Sequence, residues 1–257
     1  MSTSDPSQRV AIVTGGAGGI GAAVCHALAA AGPRVVVADR RGDAAQAVAD
    51  QVGGLAVEVD LALADDCRRL VQTALNHYGR VDILVNNAGY QHIAPIDEFP
   101  EDVWQHMLAV MLTAPFLLTK YVWPDLKARR WGRIVNLGSI HSLVASPYKV
   151  GYITAKHGLL GLTRTAAREG GEFGITVNAL LPAYVRTPLV ENQIADQART
   201  RGLTPQEVVD QVMLAPAAIK RLVEPEEVAA LVVYLCSDLA AAVTGAEWTI
   251  DLGWTAA

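Results

Sequence analysis

The run RVAIVTGGAGGIGAAVCHALAAAG (9–32) constrains the fold more tightly than any other part of the chain. A β-branched segment ends at Thr14 in a cluster of glycines, and an alanine-rich segment then reads as a helix closed by Gly32 and Pro33. RVVVADR (34–40) follows as a second apolar strand, of the kind buried on both faces of a parallel sheet.

The same alternation runs on to the C-terminus. DAAQAVADQVG reads as a helix, LAVEVDL as a strand, ADDCRRLVQTALNHYG as a helix and VDILVNNAG as a strand. A long helix over about 101–129, the strand GRIVNLGS, a helix over about 147–169 and the strand ITVNALLP come next. The helix EPEEVAALVVYLCS and the strand EWTIDLG close the chain. Seven strands separated by helices predict one α/β domain over 9–257, a doubly wound Rossmann-type parallel sheet with helices on both faces. Residues 1–8 read as a flexible tail. The polar helical segment 188–215 interrupts the alternation, and its length suits a lid over the carboxyl ends of the strands.

Composition narrows the function classes. Half the chain is apolar (51%), enough for a substantial core, and charges are sparse, with 21 basic against 26 acidic residues. The one basic cluster, KARRWGR (127–133), is too short for a nucleic-acid footprint, so no nucleic-acid partner is expected. Cys25, Cys67 and Cys236 are an odd, widely spaced set without CxxC, and no HExxH occurs, which argues against disulfides and a metal site. The polar start MSTSDPSQR shows no signal peptide, and apolar runs such as AALVVYLC (229–236) are too short for a bilayer. A cytoplasmic protein without a membrane partner is the expectation.

TGGAGGIG (14–21) sits where a dinucleotide loop requires it, after a strand and opening a helix. It contains GxGxxG on Gly16, Gly18 and Gly21, and also TGxxxGxG on Gly15, Gly19 and Gly21. The second register is preferred because Thr14 directly ends the strand. Glycines let the backbone approach a pyrophosphate, and the helix N-terminus supplies amide donors and a favourable dipole. Asp39, at the end of the second strand, has the place of an acid that binds the adenosine ribose and repels a 2′-phosphate, favouring NAD over NADP. Arg40 and Arg41 pull the other way, since a guanidinium there pairs with a 2′-phosphate. Asp60 reads equally as an adenine contact and as a helix N-cap.

Four motifs in order then carry a resemblance: TGxxxGIG, NNAG (86–89), Ser139, and YxxxK on Tyr152 and Lys156. The chain resembles a classical short-chain dehydrogenase/reductase over its whole length from about residue 9. NNAGYQH, HSLVASPYKVGYITAKHG, VRTPLVENQ and the ending GWTAA are similar to the branch of that family that handles D-3-hydroxybutyrate. The resemblance implies NAD-dependent interconversion of (R)-3-hydroxybutyrate and acetoacetate. Alternatives are another hydroxy acid or secondary alcohol, or a dinucleotide-binding protein without catalysis.

The catalytic stretch is readable physically. Pro147 suits a first helical turn, so 148–158 is expected to be helical, with Lys156 at i+4 and Lys149 at i−3 from Tyr152. A phenol is a poor base near neutrality, and a neighbouring ammonium favours its ionised form. The resemblance assigns that ammonium to Lys156, which also holds the nicotinamide ribose. Tyr152 is implied as the proton acceptor and donor, and Ser139 as the hydrogen-bond partner of the substrate oxygen.

By the same resemblance Lys149, Gln91, His141 and Gln193 hold the substrate carboxylate, Tyr184 walls the pocket, and Trp254 completes it. Around the dinucleotide it implies Thr14, Gly15, Gly19, Ile20 and Gly21 at the phosphates, with Asp39, Asp60 and Leu61 at the adenosine. Asn87, Ala88, Gly89, Pro182 and Thr187 join Tyr152 and Lys156 nearer the nicotinamide. No structural or catalytic metal is assigned. A homotetramer pairing the helices at 101–129 and 147–169 is implied as well.

Three positions depart from the family pattern. Met111 stands for an asparagine that supports a helix kink and a relay water, which a thioether side chain cannot bind in that way. Ala183 and Leu252 replace glycines, so strain is expected wherever either position needs a positive φ.

Overall fold

A computed structural model describes residues 6–256. The strands are β1 (Val10–Thr14), β2 (Arg34–Asp39), β3 (Leu55–Glu58), β4 (Ile83–Asn86), β5 (Gly132–Leu137), β6 (Ile175–Pro182) and β7 (Glu247–Ile250). They form one sheet in the order β3-β2-β1-β4-β5-β6-β7, parallel at every pairing. The order reverses between β1 and β4, and the crevice at such a reversal is where ligands of open α/β sheets bind.

The helices are α1 (Gly19–Ala30), α2 (Gly42–Val52), α3 (Ala64–Tyr78), α4 (Glu101–Leu108), α5 (Ala114–Arg129) and α6 (Val150–Gly170). After β6 come α7 (Pro188–Arg201), the single turn α8 (Pro205–Glu207) and α9 (Pro225–Cys236). Alternation along each strand sends side chains to two cores. Val10, Ile12, Val36 and Leu84 meet Leu70 and Val71 of α3 and Leu118 and Val122 of α5. Ala11, Val13, Val37 and Val85 meet Val24 and Leu28 of α1 and Val228 and Val232 of α9. α2 and α3 stop at Gly53 and Gly79, both left-handed, as a glycine C-cap does.

The expected long helix over 101–129 is interrupted. Between α4 and α5, Ala109–Thr113 forms a π turn in which the Ala114 N–H donates to the Ala109 carbonyl. The whole run Glu101–Arg129 is long and apolar enough to cross a membrane by length and composition, a correction to the reading that all apolar stretches are short. Here it packs on α3, α6 and the sheet, burying Met107, Met111, Leu118, Val122 and Leu126.

One further expectation is corrected. The helix expected from residue 147 starts at Val150, because Pro147 and Tyr148 form a turn and Tyr148 has φ +68°. Of the tail expected over 1–8, residues 1–5 lie outside the described residues. Pro6–Gln8 form a 3-10 turn, and the chain is anchored directly afterwards by buried Arg9, whose Nη2 donates to both carboxylate oxygens of Asp238. The segment 188–215 is helical as expected, comprising α7, α8 and a second π turn, Val208–Met213. Val190, Val208, Met213, Leu214 and Leu222 give it a small core of its own, against which Tyr184 packs.

Candidate active site

A cavity of about 490 Å³ runs along the carboxyl ends of the strands across the β1/β4 reversal. Gly15, Gly19, Ile20, Asp39, Asp60 and Leu61 line one end of it, and Asn87, Ala88 and Gly89 its middle. Ser139, Tyr152, Lys156, Pro182 and Thr187 line the other end, together with Gln91, His141, Lys149, Tyr184 and Gln193. Three of the expected site residues do not line it: Thr14, Gly21 and Trp254.

Each of those three supports a wall instead. Thr14 is buried at the end of β1. Its Oγ1 donates to the Val85 carbonyl and accepts from the N–H groups of Asn87 (3.0 Å) and Ala88 (3.2 Å), so it fixes the loop after β4. Gly21 packs so closely that a Cβ would collide with the Gly15 carbonyl oxygen. Trp254 stands behind His141, ring centroids 6.4 Å apart, with its indole N–H on the Met213 carbonyl.

The glycine turn adopts the TGxxxGxG register. Gly15 (φ +63°) and Gly19 (φ +53°) are left-handed, a conformation that costs a side-chain-bearing residue about 1–2 kcal/mol. Asn87 Nδ2 donates to the carbonyls of Thr14 and Gly15, binding the turn to the β4 loop. The N-terminus of α1 therefore opens onto a cradle bare of side chains, which suits a pyrophosphate. At the adenosine end Asp39 accepts from the N–H groups of Ala17 (3.2 Å) and Arg41 (3.0 Å), and Arg41 Nε lies 3.3 Å from the same carboxylate. Asp60 is not a helix N-cap: α3 begins at Ala64 behind Leu63, and the Asp60 carboxylate accepts from Ala62 N–H.

At the other end, β5 stops at Leu137 and Ser139 caps a short 3-10 turn, its Oγ accepting from His141 N–H at 3.2 Å. Ser139 and Tyr152 line the same end of the cavity. Lys156 lies one turn of α6 further on, its Nζ 5.6 Å from the Tyr152 ring centroid and donating to the Leu137 carbonyl. Burial raises the phenol above its usual range, with Ser139 acting against that and Tyr184 adding to it. Burial also pushes the Lys156 ammonium down to about 8. The expected electrostatic depression of the phenol by Lys156 is not among the causes acting here, Nζ being engaged by the Leu137 carbonyl rather than by the phenol oxygen. A phenol and a hydroxyl lining the same cavity end can still pass a proton to or from a substrate oxygen held within reach of both.

Beyond Tyr152 lies a polar end. Lys149 is buried, with its ammonium 5.6 Å from the Tyr184 ring centroid. It is the N-cap of α6 and not, as expected, a residue inside that helix one turn before Tyr152. His141 pairs through Nε2 with Ser146 Oγ at 2.8 Å; burial, then Lys149 and His157, push its imidazole down to about 4, so it is neutral at pH 7. Gln91 Oε1 accepts from His92 N–H. Gln193 Oε1 is buried with no hydrogen-bond partner among the described residues, which is costly unless a ligand satisfies it.

Sequence reading missed the wall between the two ends. Tyr90, directly after NNAG, and His106, one turn before the π turn, meet through Tyr90 Oη and His106 Nδ1 at 2.8 Å, and both line the cavity with Val110. Met111 is buried in the π turn, placed so that a Cβ on Gly89 would lie 3.2 Å from its Sδ and 3.9 Å from Lys156 Nζ. The wide helical turn thus forms with methionine in place of asparagine.

Comparison with known proteins agrees with this geometry. A family profile described as enoyl-(acyl carrier protein) reductase matches residues 15–255. D-beta-hydroxybutyrate dehydrogenase of Rhizobium meliloti is 42% identical over 255 residues, covering 96% of this chain and 99% of that protein. The enzyme of the same name from Cupriavidus necator is 39% identical over 253 residues, 96% and 98% of the two chains. The chain belongs to the short-chain dehydrogenase/reductase family. Among solved structures, levodione reductase superposes with a TM-score of 0.89 at 29% identity, over 97% of this chain and 98% of that one.

As a short-chain dehydrogenase/reductase with a Rossmann-type sheet, the protein is an oxidoreductase using a nicotinamide dinucleotide. The bare cradle of Gly15, Gly19 and Gly21 at the start of α1 fits that group. Of the two replaced family glycines only Leu252 is left-handed (φ +58°); Ala183 is not among the positive-φ residues, so the loop beside Pro182 carries no such strain. Among the described residues there is no cluster of three or more histidine, cysteine or acidic side chains for a metal ion.

Proposed function

We propose that this oxidoreductase interconverts (R)-3-hydroxybutyrate and acetoacetate with NAD. The observation that carries the reading is the polar end of the cavity: a buried ammonium, Lys149, lines it together with Tyr152, Gln193 and the neutral imidazole of His141. A buried ammonium lining the cavity favours an anionic ligand there, and the carboxylate of a short hydroxy acid is one.

A nicotinamide dinucleotide held by the glycine cradle at the start of α1, Asp39 and Lys156 would supply the hydride chemistry at the substrate carbon. Ser139 donates to the substrate oxygen and orients it. Tyr152 Oη takes the hydroxyl proton in oxidation and gives it back in reduction. Lys156 holds the nicotinamide ribose and fixes the Tyr152 side of α6. Asp39 holds the adenosine ribose hydroxyls, which favours NAD, and Thr187 and Pro182 flank the nicotinamide. The helical segment 188–215 acts as the lid, carrying Gln193 and packing on Tyr184. A cytoplasmic homotetramer paired through the long helices completes the reading, supported by half-exposed Phe116 on α5.

Lys149→Ala tests the carboxylate subsite. Losing a hydrogen bond to a charged group costs about 1.5–3 kcal/mol, so kcat/KM for (R)-3-hydroxybutyrate is expected to fall on the order of a hundredfold. A neutral secondary alcohol such as butan-2-ol loses nothing. Equal losses on both substrates would show that Lys149 does not read the carboxylate.

A further inference from the structure

Lys149 enters the cavity because the chain in front of it is not helical. Pro147 and Tyr148 form a turn, and Tyr148 has φ +68°, one of three non-glycine residues with positive φ among the described residues. A left-handed tyrosine is unfavourable because its Cβ crowds the following carbonyl oxygen, and its phenol, 56% exposed, buries little surface in return. The backbone is held from elsewhere: the Ala94 N–H donates to the Tyr148 carbonyl at 3.1 Å, tying the segment after the β4 loop to the entry of α6. If Tyr148 were right-handed, the turn would run on into α6. Lys149 would then lie within the helix, its Cβ tilted back along the helix surface. In the observed geometry it is the N-cap, with φ −123°, a buried side chain and its ammonium over Tyr184.

We propose that Tyr148 is a positioning residue for the substrate carboxylate, its left-handed backbone aiming Lys149 into the cavity. The substrate half of this statement rests on the 3-hydroxybutyrate reading; the aim of Lys149 does not. Glycine adopts positive φ readily, while a β-branched residue is the worst placed there. Tyr148→Gly therefore preserves the aim and Tyr148→Val loses it, although neither touches the ligand.

The test is the Kd of acetoacetate for protein saturated with NAD+, which needs no turnover, with crystal structures of both variants. Tyr148→Gly is expected to bind acetoacetate within about twofold of the unaltered protein, and Tyr148→Val on the order of tenfold more weakly. The Kd for NAD+ stays the same in both. In the crystals the Lys149 ammonium leaves Tyr184 in the valine variant alone. Unchanged acetoacetate binding in Tyr148→Val, or an ammonium still over Tyr184, overturns the proposal. Should the valine protein fail to fold, Tyr148→Ala replaces it, with a smaller shift in the same direction. Lys149→Ala measured alongside separates the two claims: if it binds acetoacetate normally, the carboxylate reading fails, and the crystal structures alone decide whether Tyr148 aims the lysine.

Discussion

Asp39 and Lys156 show how single side chains in this cavity are set by their immediate partners. Asp39 is buried at the end of β2 and already has Arg41 folded onto it at 3.3 Å. Asp39→Ala removes the acid and releases that guanidinium, so the ratio of kcat/KM for NAD over NADP is expected to fall at least tenfold, read by comparing the two cofactors. Lys156 is a buried cation whose pKa drops from 10.5 to about 8. Below pH 8 it is protonated in both folded and unfolded chains, and the folded protein bears the whole desolvation cost. Between pH 8 and 10.5 the folded protein sheds the proton first, so this contribution to stability improves as pH rises. Lys156→Met is therefore expected to stabilise the nucleotide-free protein at pH 7 by roughly 1–3 kcal/mol while ending turnover, with the gain shrinking toward pH 10 in urea titrations. Ser139, Tyr152 and Lys156 are legible in the sequence because one strand end and one helical turn bring them together. Tyr90 and His106 are not, because a loop and half of α4 separate them, and only their tertiary approach makes a pair.

Elements divide in the same way between local and tertiary causes. Gly53 and Gly79 mark helix ends legibly, since a left-handed C-cap is a local requirement. The start of α6 misled: Pro147 permits a helical first turn, yet Tyr148 is left-handed with its carbonyl accepting from Ala94, which no local signal reveals. The π turn at Ala109–Thr113 is similar, because it forms around Met111 without the family's asparagine. Two glycines with nearly the same φ test the distinction between backbone and packing costs. Gly53 (φ +61°) has open space where a Cβ would stand, whereas a Cβ on Gly174 (φ +70°) would lie 2.5 Å from the Arg130 carbonyl oxygen. Gly53→Ala is expected to cost about 1 kcal/mol and Gly174→Ala clearly more, about 2–4 kcal/mol, in equilibrium urea unfolding. Equal costs would show that the Arg130 turn yields without strain.

At the scale of the molecule, the seven-stranded parallel sheet was readable because strand and helix periods alternate without a break and a parallel sheet needs a crossover between successive strands. The strand order, with its reversal between β1 and β4, then decides that glycine turn, β4 loop, Ser139 and α6 open onto one cavity. The proposed substrate rests on the polar end of that cavity, where Lys149, His141 and Gln193 arrive from three different segments. The most direct test of the account is NADH formation by the unaltered protein with (R)-3-hydroxybutyrate, beside the (S) enantiomer and butan-2-ol. The account predicts that the (R) acid is turned over far faster than either of the other two. Turnover confined to the neutral alcohol, or none on any of the three despite demonstrated NAD binding, would contradict it.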